Sequence, residues 1–341
     1  MIKRRTKLPD RKPALLRGAR LPLAIALALC IAAAMSFARP VRVSARSGVA
    51  PDAALFEIKK IGDGVYAAIS PGESKAGANS GFVIGDDGVA VIDTFEDASA
   101  ANVLLDEIRK LTKLPVRFVV NTHYHIDHVA GNGVFAEAGA VVVAHRNVRE
   151  WIHTENLKFF GEKITAEQKK FVESLAAPSV VYSDSLDLYL GSRHLALHFY
   201  PGHTGGDTIV EVPDAHVVFC GDLFWRRTLP NLIDSSTDKW IATLDKLATI
   251  APDGTYVPGH GGVGNASDVK DFRAYLVELR SAVAVAQSAG KSGTDVVNTV
   301  LPDLQSKYGS WDFFKYFAKS NIADTAKELK GEKRIPVAAK D

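Results

Sequence analysis

Short apolar runs with polar neighbours recur from residue 56 to residue 260, many of them closed by Gly, Pro or Asp. A period of two bounded by turn residues predicts strands. Segments 56–61 and 65–69 flank Gly62-Asp63-Gly64, and 81–84 and 89–92 flank Asp86-Asp87-Gly88, so each pair predicts a hairpin. Further strands are expected at 116–120, 141–144, 180–190, 195–200, 208–212, 216–220 and 255–257, with Pro213-Asp214 turning a third hairpin. The period lengthens to that of a helix over 98–111, where Leu104, Leu105, Ile108 and Leu111 share a face, and again over 237–250 and 267–289, with Ser267 as N-cap. Residues 293–330 read as smaller helices packed by Trp311, Phe313, Phe314, Tyr316 and Phe317. Residues 147–177 form a polar, helical excursion that carries Trp151, His153, Phe159 and Phe160, the kind of segment that walls a site on a rigid scaffold.

The chemistry concentrates in one loop. After the strand at 116–120 comes Asn121-Thr122-His123-Tyr124-His125-Ile126-Asp127-His128, four strong metal ligands in six residues. His123 and His125 alternate along an extended segment and can point the same way. Asp127 and His128 then turn off that line and can face a second ion. Imidazoles with one carboxylate suit zinc, and less exclusively iron or manganese.

That His-x-His-x-Asp-His run resembles the signature of the metallo-β-lactamase superfamily. Gly202-His203-Thr204, Gly221-Asp222 and Pro258-Gly259-His260-Gly261, each after a strand, are similar to its later blocks, and the resemblance covers roughly 56–283. It implies an α+β fold, the four-layer αββα sandwich, with a metal site at the sheet edge. It also implies two Zn2+ ions, with Fe or Mn as alternatives: His123, His125 and His203 on one, Asp127, His128 and His260 on the other, and Asp222 bridging. Asp127 would double as a proton relay, and Asp93 would support the loop by hydrogen bonding rather than ligation. The implied reaction is hydrolysis of a small-molecule substrate by a metal-activated water, needing no Ser or Cys nucleophile. β-Lactam opening is the leading specific reading. Asn231 matches a substrate-contacting Asn of the zinc β-lactamases, and Arg226, one position off the pattern, would pair with a substrate carboxylate. The bridging Asp222 looks instead like glyoxalase II and its relatives, so a lactonase or thioesterase is the alternative, followed by a non-hydrolytic diiron member.

Charge and leader complete the reading. Net charge is +2, but the first 38 residues carry eight Lys/Arg and one Asp, which leaves −5 on the remainder and argues against nucleic acid as a partner. Residues 1–38, basic and then apolar, read as a signal peptide or N-terminal anchor, which directs the body to the periplasm or beyond and gives a membrane contact only if it stays uncleaved. Residues 39–54 read as a disordered lead, 55–290 as the metallo-β-lactamase-fold domain, 291–330 as a helical extension and 331–341 as a flexible tail. Of the two cysteines, Cys30 and Cys220, the second fits a buried strand position. The sequence gives no oligomeric state.

Overall fold

The computed structural model describes residues 55–72 and 74–336. The expected signal peptide, the lead up to residue 54 and the last five residues lie outside the described residues. Four strands open the described residues: β1 (Glu57–Gly62), β2 (Val65–Ile69), β3 (Ser80–Ile84) and β4 (Val89–Ile92), followed by α1 (Ala98–Leu111). Next come β5 (Val116–Asn121), α2 (Ile126–Val129), α3 (Asn132–Glu137), β6 (Val141–His145) and α4 (Arg146–Trp151). A 3-10 helix (Glu155–Phe160) and α5 (Ala166–Glu173) complete the excursion, and β7 (Val180–Tyr182) closes this half. The second half runs β8 (Ser185–Leu190), β9 (Arg193–Phe199), β10 (Thr208–Val212), β11 (Val217–Trp225), α6 (Thr237–Ile250), β12 (Thr255–His260), α7 (Ala266–Ser288), α8 (Thr294–Tyr308) and α9 (Phe314–Leu329).

The strands make two sheets, one in the order β1-β2-β3-β4-β5-β6-β7 and one in the order β12-β11-β10-β9-β8. Alternation along each strand explains the layering. In β4, Ala90 and Ile92 face the second sheet, while Val89 and Val91 face Leu104, Leu105 and Ile108 of α1. In β11, Val217 and Phe219 face the first sheet, while Val218 and Cys220 face α6 and α7 through Trp240, Leu244 and Phe272. The result is helix, sheet, sheet, helix, the αββα sandwich. Helices α8 and α9 extend its outer layer, with Val296, Val300, Phe314 and Ile322 buried in the α6–α7 core.

Three local expectations change. Residues 180–190 are two strands, because the chain leaves the first sheet after Tyr182 and starts the second at Ser185. The N-cap of α7 is Asn265, whose side chain accepts from the Ser267 and Asp268 N–H groups, so Ser267 lies inside the helix. The described part of the tail, residues 332–336, is anchored: Lys333 Nζ donates to the Ser235 carbonyl, and the Arg334 guanidinium grips both oxygens of Glu155 at 2.8 and 2.7 Å. Among the described residues no helix is long and apolar enough to cross a membrane.

Candidate metal centre

Four loops converge where the two sheets meet. Three parallel strands, β4, β5 and β6, aim their carboxyl ends at one rim. The β5 end carries His123 and His125, and His125 then becomes the N-cap residue of the short α2, so Asp127 and His128 swing to a second direction. His203 follows β9, and His260 ends β12. Asp222 sits inside β11, where pairing with β12 slips on both sides of Gly221. Such an irregularity re-aims a side chain. Gly221 has φ +49, and a Cβ there would overlap the Thr122 hydroxyl; a Cβ on Gly259 would overlap the Asp222 carboxylate. Both positions therefore require glycine for the loops to close on one another.

The structure brings all seven sequence-predicted ligands together. His123, His125, His203 and Asp222 form one group, and Asp127, His128 and His260 a second, with ligand atoms in each group within 4.8 Å of one another. Asp222 faces both. Its Oδ2 lies 3.2 Å from His203 Nε2 and 3.7 Å from His123 Nε2, while its Oδ1 lies 3.1 Å from His128 Nε2 and 3.5 Å from His260 Nε2. His125 Nδ1 is 3.0 Å from His203 Nε2, and Asp127 Oδ2 is 3.2 Å from His260 Nε2. His123 Nε2, His128 Nε2, His260 Nε2 and Asp222 Oδ1 are buried without a hydrogen-bond partner. Buried polar atoms in that state are costly, and here they are imidazole and carboxylate lone pairs aimed inward. Divalent metal fits this donor set.

Electrostatics and support fit the same reading. Burial pushes the His203 imidazole down to about 3, and His123 is also held low by burial. Burial opposes protonation of His260 too, but Asp222 and Asp127 outweigh it and raise it to about 9. The outward ring nitrogens of His128 and His125 are tied down by carboxylates. Asp93 accepts from His128 Nδ1 at 2.8 Å and from the Thr122 N–H and hydroxyl, both at 2.7 Å. Asp93 adopts φ +58, a left-handed conformation that Asp tolerates, which turns its carboxylate under the loop. Asp234 takes the His125 Nε2–H at 3.0 Å and also binds the Tyr124 hydroxyl and Lys158. Burial would raise its carboxyl, but the hydrogen bond from His125 and the Lys158 charge hold it below the usual carboxylate range.

Residues 75–260 match the family described as the metallo-beta-lactamase superfamily. The chain belongs to the metallo-beta-lactamase superfamily. As a member it is a metal-dependent hydrolase, with a His/Asp cluster for divalent metal. It is 27% identical over 205 residues to a probable metallo-hydrolase of Bacillus subtilis, covering 58% of this chain and 92% of that protein. Over 210 residues it is 24% identical to a linear primary-alkylsulfatase of a Pseudomonas species, covering 51% of this chain and only 40% of that protein. A hydroxyacylglutathione hydrolase of Rhodobacter capsulatus is 26% identical over 174 residues, covering 51% of this chain and 57% of that one. Among solved structures, a metallo-beta-lactamase from Pontibacter korlensis superposes with a TM-score of 0.55 at 24% identity, covering 65% of this chain and 98% of that one. That likeness shows the sandwich.

Within this superfamily scaffold the two expected substrate contacts are engaged elsewhere. Arg226 Nε lies 3.1 Å from Asp268 at the start of α7. The Asn231 amide oxygen accepts from the Ile233 N–H and fixes the local turn. The excursion does reach the centre, since the Phe159 ring stands edge-on to His125 at 5.0 Å between centroids. His145 stacks on Phe199, and His194 pairs with Asp187 at the surface. Sequence reasoning passed over Asp234, which lies three residues after Asn231 but meets His125 across 109 positions. It also passed over Trp225, whose ring stacks on His260 at 4.0 Å. Only the fold brings these together. Asp234→Ala is expected to weaken metal binding by about 10- to 100-fold, as loss of a carboxylate behind a ligating histidine does. Competition against a chromophoric chelator measures it, and wild-type affinity in the variant would remove Asp234 from the support of His125.

Proposed function

We propose that this chain is an exported dinuclear zinc hydrolase that opens a neutral ester or lactone. The observation that carries the reading is Asp222, whose two oxygens face the two ligand groups separately. One carboxylate spanning a three-histidine group on one side and an Asp-His-His group on the other is the arrangement that holds two ions as a pair. A bound divalent pair lowers the pKa of water and polarises a carbonyl. The chain's own residues do the rest. His123, His125 and His203 hold one side of the reaction centre; Asp127, His128 and His260 hold the other. Asp127 is the exposed member of the set, its side chain 29% accessible, and is placed to pass a proton to a departing oxygen. Phe159 and Trp225 flank the centre and limit the entry of bulk water.

An ester or lactone is favoured over a β-lactam because Arg226, the group expected to pair with a substrate carboxylate, has its Nε 3.1 Å from the Asp268 carboxylate instead. The test is a hydrolysis screen of the zinc-loaded full chain with an aryl ester, an aryl lactone, a chromogenic cephalosporin and a glutathione thioester, each with and without chelator. Chelator-sensitive ester or lactone turnover, at least about tenfold above the cephalosporin in kcat/KM, is expected. Cephalosporin turnover at or above that level overturns the substrate reading, and silence on all four overturns the hydrolase reading for these classes.

A further inference from the structure

Beside the metal centre, on the His260 side, is a cleft of about 170 Å³. Its walls include Ile69 at the end of β2, Pro71 and Gly72 from the β2–β3 loop, Thr228 from the segment after β11, His260, and Phe313 from the α8–α9 turn. Gly77, whose Cβ would stand 3.2 Å from Asp127 Cβ, closes the end nearest the second ligand group. The cleft thus abuts the second ligand group at His260 and, through Gly77, lies beside Glu96 and Asp127.

Phe313 is the unusual wall. It lies beyond residues 75–260, the part that matches the superfamily. It adopts φ +60, a conformation that bulky side chains avoid and that persists only when the surroundings impose it. What imposes it is a two-bond bridge: the Asp312 N–H donates to the Arg227 carbonyl at 3.0 Å, and the Leu229 N–H donates to the Asp312 carbonyl at 2.9 Å. This bridge ties the α8–α9 turn to the segment that follows Asp222. The strained turn directs the ring at the site, with its centroid 6.0 Å from that of His260 and 6.5 Å from that of Trp225. Strain held at the edge of a reaction centre points to a role there rather than to packing alone.

Asn79, Thr228 and Ser70, three polar side chains of the lining, are hydrogen-bonded within the protein. The buried Asn79 amide donates to the Pro258 and Gly261 carbonyls and accepts from the Ser70 N–H, and the Thr228 hydroxyl donates to the Arg226 carbonyl. The apolar side chains that face the cleft are Ile69, Pro71 and Phe313, with His260 at the metal side and Asp312 at the rim. An apolar cavity on the order of 150 Å³ admits benzene, so the space matches one phenyl ring or a short alkyl chain.

We propose that this cleft receives an apolar substituent, up to the size of one phenyl ring, on the ester or lactone substrate, and that Phe313 sets the size limit. The proposal rests on the hydrolase reading given above.

Gly72 supplies the test from the opposite wall. A Cβ there would stand 3.8 Å from the Phe313 ring, so a longer side chain at that position enters the cleft without touching a metal ligand. The readout is the kcat/KM ratio of a phenyl-bearing ester to its methyl analogue, with a naphthyl ester as the third member. Gly72→Leu is expected to lower the phenyl-to-methyl ratio by about tenfold or more. Phe313→Ala is expected to shift preference from phenyl towards naphthyl. A second readout is line broadening of 4-fluorobenzyl alcohol in fluorine NMR on the zinc-loaded full chain, present in wild type and lost in Gly72→Leu. Unchanged ratios with persisting chelator-sensitive turnover overturn the cleft and leave the hydrolase standing. If wild type turns over none of the esters, the hydrolase reading fails and the NMR arm decides the cleft: broadening lost in Gly72→Leu supports it, and broadening absent from wild type or retained in the variant overturns it.

Discussion

Asp222→Ala is expected to lower chelator-sensitive hydrolysis by more than about a hundredfold and to leave fewer than two zinc ions per chain. The lower bound follows from smaller changes: removing a residue that merely supports a metal ligand costs about 10- to 100-fold, and Asp222 touches both groups directly. Its loss also strands four imidazoles. Asp222 is a principal charge holding His128 and His260 above the ordinary histidine range, and it opposes the burial that depresses His123 and His203. Without it, the two groups become separate clusters, His123, His125 and His203 on one side and Asp127, His128 and His260 on the other, with no shared anion. Asp222→Asn keeps the shape and removes the charge, so it separates packing from ligation: a variant that folds, melts like metal-free wild type and binds at most one ion is the expected result. Unchanged hydrolysis in Asp222→Ala would show that the carboxylate does not join the two sides.

Metal loading is expected to raise the melting temperature by about 15 °C. Each site held at a free-ion concentration of about a thousand times its Kd contributes about 4 kcal/mol, and a domain of this size gains about 2 °C per kcal/mol. The gap between loaded and metal-free protein is also expected to widen with pH. In the metal-free fold the His260 imidazole is raised from its usual 6.5 to about 9 by Asp222 and Asp127 against the opposing effect of burial. A raised folded pKa gives stability that is fully present below about 6.5 and lost as pH rises through about 9. The metal-free protein therefore loses this contribution over that range, while a bound ion, which has to displace the same proton, gains. Scanning calorimetry on both forms across the range measures the trend, and a gap that narrows with rising pH would contradict the assignment of His260.

The ligand set was legible because most of its histidines sit at or just after the end of a strand, although Asp222 lies inside β11, which runs on past the expected end at residue 220. His123, His125, His203 and His260 follow predicted strands, and glycines beside them mark close approach of the backbone. The sandwich was legible for a similar reason, since alternation along β4 and β11 sorts side chains between the sheet interface and the helices. The gaps are equally physical. A switch between sheets at Ser183-Asp184 leaves the alternation of 180–190 intact, so one strand and two look alike. Asn265 and Ser267 are both good caps, and only the hydrogen bonds choose between them. Arg334 on Glu155 and Asp234 on His125 join positions 179 and 109 residues apart, with no local pattern to announce either. Arg226 carried the right charge at nearly the right place, but its partner is Asp268.

The zinc content of the full-length chain after saturation and removal of free ion, read by mass spectrometry of the native protein, tests the central claim most directly. Two ions per chain are predicted, falling to one or none in Asp222→Ala. A wild-type chain that binds one ion or none under the same conditions would contradict a dinuclear centre built on Asp222.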